Sequence, residues 1–167
     1  MRRVLAWSAV IVLALVLQST VFAQFTLAGA RPELVYVVTI VLAMLEGPSS
    51  GAIGGFAAGM AQDFLLNAPK GITALVLTLL GYVMGMVRQY IVTPSPALPV
   101  LLVASGTLLG ILFHGFVSFL LGQLGVDWLY LIRVALLSAL YNALLTPLFY
   151  PLLRRTVQAT QARKVFR

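Results

Sequence analysis

Apolar residues in this chain fall into six runs, separated by short breaks rich in Gly, Pro and polar side chains. The first run covers residues 4–25 and follows Arg2 and Arg3. As a helix it would span roughly 33 Å, enough for the hydrocarbon core of a bilayer. A polar break over 28–33 follows, and its Pro32 suits a helix start. The second run, 32–46, would cover only roughly 22 Å, so neighbours must shield it or the bilayer must thin around it. Glu46-Gly47-Pro48 ends it. The third run is 50–66, the fourth 72–92, the fifth 99–121 and the sixth 128–153. Thr93-Pro94-Ser95-Pro96 is the clearest linker, and Pro147 and Pro151 predict a kink or an end in the sixth run. The pattern predicts an all-α chain: one six-helix transmembrane domain over 1–153 and a basic tail over 154–167.

Within the third run, Gly51, Gly55 and Gly59 recur every four residues and so share one face of a helix. Such a stripe lets a second helix approach backbone to backbone, which drives association where lipid offers no hydrophobic incentive. Asp63 continues the spacing, and Asn67, Pro69 and Gly71 break the helix. This run reads as the central helix of the bundle. Gly81 and Gly85 in the fourth run, and Gly106 and Gly110 in the fifth, repeat the small-residue spacing.

Composition changes the picture in one respect: it names the solvent. The 167 residues are 61% hydrophobic and 9% charged, and a soluble domain of this size could not hide that much apolar surface. The chain reads as an integral membrane protein. No cysteine is present, which excludes disulfides and thiolate chemistry. The net charge of +7 points to topology rather than to nucleic acid. With a cytoplasmic N-terminus, the inner side carries Arg2, Arg3, Arg88, Arg154, Arg155, Arg163, Lys164 and Arg167. The outer side carries Arg31 and Lys70, with Arg133 just inside the sixth run. That asymmetry puts both termini in the cytoplasm. Trp7, Tyr90 and Tyr150 fall near the inner interface, and Phe25, Tyr36, Trp128 and Tyr130 near the outer one. A cleavable signal peptide ending near Val21-Phe22-Ala23 is the rival for the first run; its length favours a retained helix.

Charged and polar groups inside the runs are the candidate chemistry. Asp63 and Arg133 share a depth, and each needs a partner there, so they are expected to pair directly or through water. Such a pair is either an ion or substrate site or a structural clamp, and the clamp is favoured. His114, Asn142 and Gln62 are expected to hydrogen-bond neighbouring helices, and Gln18 either faces a partner or sits at the interface. A lone histidine makes no zinc site of the usual kind. No HExxH, GxSxG or P-loop occurs, and no close pair of intramembrane carboxylates. No enzyme, cofactor or metal is expected.

One ordered set of motifs resembles a known family. Leu17-Gln18-Ser19-Thr20 ends the first run. Arg31-Pro32-Glu33-Leu34, Glu46-Gly47-Pro48, the Gly51/Gly55/Gly59 helix with Asp63, and Pro69-Lys70-Gly71 before Thr73-Ala74-Leu75 follow. Asn142 and the TPLFYPLLRR stretch close the series. This order resembles MreD, the rod shape-determining membrane proteins of bacteria. The resemblance implies a non-enzymatic scaffold of the elongasome that binds MreC and helps control lateral peptidoglycan synthesis and cell shape. Further implied partners are MreB filaments, RodA and its class B penicillin-binding transpeptidase. The implied fold is similar to the six-helix substrate-binding component of energy-coupling factor (ECF) transporters. That kinship supplies the alternative, a vitamin-binding subunit. Short extracytoplasmic loops and few converging polar groups argue against it. For a scaffold, Gly51/Gly55/Gly59 is the expected internal stripe, with Gly81/Gly85 or Gly106/Gly110 left for MreC. The basic tail is expected on anionic membrane lipids.

Overall fold

The computed structural model describes residues 2–21, 29–65, 71–91, 95, 97–122 and 127–162, with side chains from 6 to 158. Its helices are α1 (Arg2–Thr20), α2 (Leu34–Glu46), α3 (Pro48–Leu65), α4 (Ile72–Tyr90), α5 (Leu98–Leu120) and α6 (Trp128–Ala162). Outside the described residues lie the proposed processing site beyond Val21, Phe25 of the aromatic belt, Lys70 and the tail cations Arg163, Lys164 and Arg167. Among the described residues, three helices are long and apolar enough to cross a membrane: Ile72–Tyr90, Leu98–Leu120 and Trp128–Gln158. The chain is a multi-pass membrane protein.

The centre of the bundle is α2, not the glycine-striped α3. α2 packs against all five other helices, and these close around it in the order α3, α4, α5, α6, α1. The reason lies in its side chains. The segment LVYVVTIVLAMLE has no polar face, and a helix apolar all round is a buried helix. Ten of its thirteen residues are buried, which also resolves how so short a helix avoids mismatch with the bilayer. Tyr36 is buried with them rather than standing in an interfacial belt.

Around this axis the usual polarity of a globular protein is reversed. Ile53, Leu75, Leu101, Leu129 and Leu144 are exposed on the ring, while Asp63, Thr107, Asn142 and Thr146 are fully buried. Lipid as solvent explains both, because buried polar groups can serve each other and exposed leucines cost nothing there.

The glycine stripes are spent largely inside the bundle. A Cβ on Gly51 would lie 2.5 Å from the Gly81 carbonyl oxygen, and one on Gly81 would meet the Gly51 carbonyl in return. Gly55 abuts the Leu77 carbonyl and Gly59 the Ala74 backbone. A Cβ on Gly85 would be 2.6 Å from Pro48 Cα. The α3–α4 hairpin is therefore in backbone contact along its length. On α5, Gly106 receives Ile40 and Gly110 receives the Tyr36 ring, both from α2. Of the glycines expected to face a partner protein, Gly81 and Gly85 meet α3, and Gly106 and Gly110 receive α2, while Gly110 also borders a groove between α4 and α5.

α6 corrects two boundaries. It runs through Pro147 and Pro151 without ending, and Val157 beyond them is still buried. The packed unit therefore extends past residue 153, and the start of the expected tail is the last part of α6.

Replacing Gly55 with Leu forces a side chain into fixed backbone. Gly55→Leu should cost about 3 kcal/mol or more, read as a large loss of thermal stability in detergent. Ile53→Ala, at a position 73% exposed on the same helix, should stay within about 0.5 kcal/mol of the parent.

Candidate functional site

Because α2 is central and short, its N-terminus begins inside the bundle. The first N–H groups of any helix lack intrahelical acceptors, and in lipid no water supplies them. Side chains from the flanking helices do so here. Asn142 Oδ1 on α6 accepts the Glu33 N–H at 3.0 Å, and Gln18 Oε1 on α1 accepts the Val35 N–H at 3.1 Å. Asn142 Nδ2 in turn donates to the Glu33 carbonyl at 3.1 Å and to Thr107 Oγ1 on α5 at 3.0 Å. Ser138 Oγ donates to the Arg31 carbonyl at 3.0 Å. One junction thus ties α1, α2, α5 and α6.

The Glu33 carboxylate is the hub on the other side. Gln18 Nε2 donates to its Oε2 at 2.8 Å, and Gln62 Nε2 from α3 approaches the same oxygen at 3.5 Å. Arg31 Nε stands 3.4 Å from Oε1. The Arg31 side chain is 45% exposed and the Glu33 side chain 15%, so the cation marks the rim and the carboxylate the interior.

Beside this junction lies a cavity of about 470 Å³, set between the α3–α4 and α5–α6 hairpins. Glu33, Gln62, Thr73, His114, Ser138 and Tyr36 are among the residues on its wall. The expectation that few polar groups converge in the spans is therefore overturned. Those groups come from five separate parts of the chain, so their convergence is invisible along the sequence.

Asp63 and Arg133 do not form the expected pair. Asp63 Oδ2 accepts the Gly71 N–H at 2.8 Å and the Ala74 N–H at 3.3 Å, so it caps the start of α4. Gly71 adopts φ +106, a conformation that suits glycine, and this brings its N–H round to the carboxylate. A carboxylate at a helix N-terminus is also favoured by the helix dipole. Arg133 lies on the exposed stripe of α6 with Leu129, Ile132 and Leu136. Near the helix start it can extend its head group toward the interface, so it needs no buried partner. His114 has no hydrogen bond to another described residue and instead faces the cavity.

Sequence reasoning missed Glu33 as a hub, together with Thr107 and Ser138. The signal for Glu33 was a carboxylate immediately before an apolar run too short to reach the membrane surface. Among the described residues no cluster of three metal-ligating side chains occurs.

Compared with known proteins, residues 1–158 match the family model described as rod shape-determining protein MreD. No curated protein and no solved structure matches the chain.

Asn142→Leu would strand the Glu33 N–H and take one donor each from the Glu33 carbonyl and the Thr107 hydroxyl. It should cost at least about 2 kcal/mol, measured by denaturant titration in micelles. Arg133→Gln should stay within about 0.5 kcal/mol; a loss as large as that of Asn142→Leu would restore the Asp63–Arg133 ion pair.

Proposed function

The chain belongs to the MreD family of rod shape-determining membrane proteins, and on that footing we propose that it is a non-enzymatic scaffold of the bacterial elongasome. In this reading it binds MreC, the single-span protein with a large extracytoplasmic domain, and helps control lateral peptidoglycan synthesis. MreB filaments, RodA and its class B penicillin-binding transpeptidase are the further proposed partners. The observation that carries the reading is the family match across nearly the whole chain.

The positive-inside asymmetry supports a place in the cytoplasmic membrane with both termini in the cytoplasm. The cavity end of the bundle then faces the extracytoplasmic side, where MreC's large domain also lies. Since most glycine faces are filled from within, the proposed contact with MreC's single helix falls on the apolar exterior. Leu79, Val83, Leu109 and Phe113 frame a groove at the seam between α4 and α5 that suits such a helix.

A second reading, a small-molecule-binding subunit with an ECF-like fold, draws support from one feature, the polar cavity beside Glu33. The two readings separate by co-purification in mild detergent. The scaffold reading expects a stoichiometric, wash-resistant complex with the host's MreC and none with an unrelated single-span protein. Absence of that complex, with stabilisation by riboflavin or biotin, would favour the transporter reading.

A further inference from the structure

Two buried acceptors at the cavity end of the bundle have nothing to accept from. Gln62 Oε1 and Asp63 Oδ1 make no hydrogen bond, although Gln62 is 6% exposed and Asp63 fully buried. Leaving such groups unpaired is costly, and Gln62 stands on the cavity wall. Flipping the Gln62 amide does not help. It would set its oxygen against Glu33 Oε2 at the present 3.5 Å contact and leave an NH₂ group with no acceptor.

Elsewhere on the wall, Tyr36, Thr73 and His114 bring groups that can accept as well as donate. The Glu33 carboxylate is there, and Ser138 has already spent its proton on the Arg31 carbonyl, so its oxygen offers lone pairs. The one cation of the wall, Arg31, sits at the rim and is engaged by Glu33. An anion would have to sit beside the Glu33 carboxylate, whose one charged partner is already engaged at the rim. A metal ion would find no cluster of three ligating side chains among the described residues. The space is also far larger than one water, whose share of liquid volume is about 30 Å³. The complement of a roomy polar wall that holds an interior carboxylate beside a bare amide oxygen is a compact cation that carries several N–H donors.

We propose that the cavity bounded by Glu33, Gln62 and Ser138 binds a primary ammonium group, carried either by a soluble amine or by an aminophospholipid headgroup. The ammonium donates to the Glu33 carboxylate and to Gln62 Oε1, and so satisfies the acceptor the protein leaves bare. A quaternary ammonium has the same charge and no N–H, so the site discriminates against it. Binding of MreC and binding at this cavity are read independently, and loss of one leaves the other in place.

The test uses the full chain in phosphatidylcholine nanodiscs. Thermal stability is followed against ethanolamine, with choline as the control. A second arm replaces part of the lipid with phosphatidylethanolamine. The expected result is a dose-dependent rise in Tm with ethanolamine and none with choline. A rise with phosphatidylethanolamine but not with free ethanolamine also supports the site and identifies the lipid as the source. Gln62→Met keeps the side-chain volume and removes the bare acceptor. It also removes the Nε2 contact with Glu33, so its response is read against its own unliganded Tm, and that response should weaken about tenfold or more. Equal effects of choline and ethanolamine would overturn the proposal, as would no response in either arm or an undiminished response in Gln62→Met. The ethanolamine–choline contrast is read on the unmodified chain, so it decides the matter even where the variant fails to fold.

Discussion

Everything in this bundle depends on starting a helix inside a membrane protein. α2 is too short to present both ends to water, and it occupies the axis. Its leading N–H groups must be paired within the protein, because an unpaired amide in hydrocarbon costs several kcal/mol. Gln18 and Asn142 meet that demand from two different helices. Because Asn142 also holds Thr107 and the Glu33 carbonyl, the cap of one helix becomes the joint of four. The polar cluster is thus a consequence of the architecture first. The cavity beside it is what that cluster leaves over.

The glycine stripes solve a different problem. A central helix ringed by five others needs neighbours that pack closely, and α3 and α4 achieve this by removing side chains where their backbones meet. Asp63 finishes the hairpin by capping α4 across the turn. Small residues turned inward leave an exterior of large apolar side chains. A partner helix therefore meets leucine, valine and phenylalanine, and specificity must come from the shape of the seams between helices rather than from exposed small-residue stripes.

Much of this was legible in the sequence. Six apolar runs became six helices, most with ends shifted by a few residues and α6 running on to Ala162, because Gly, Pro and polar breaks are strong local signals. The internal use of Gly51, Gly55 and Gly59 was legible too, since a four-residue glycine spacing has one geometrical meaning. What was not legible is which helix stands in the middle. The uniform apolarity of 34–45 hinted at it, but the conspicuous glycines of α3 pointed to that helix as the centre, whereas they mark an interface. Shared depth suggested an Asp63–Arg133 pair, yet depth ignores azimuth, and Arg133 falls on the outward stripe of α6. A backbone cap eight residues away was also a nearer solution for Asp63 than a cation on a distant helix. Glu33 read as part of a loop because only the assembled ring shows that its carboxylate turns inward.

The most direct test of this account is amide hydrogen exchange at the start of α2, measured in nanodiscs on the parent chain and on Asn142→Ala. If side-chain caps from α1 and α6 hold that end, the amides of Glu33 and Val35 are strongly protected in the parent. Asn142→Ala then loses protection at Glu33 and its neighbours, while the α3–α4 hairpin keeps its own. Unchanged protection at Glu33 in the variant would contradict the account, because the N-terminus of α2 would then be held by something other than the junction described.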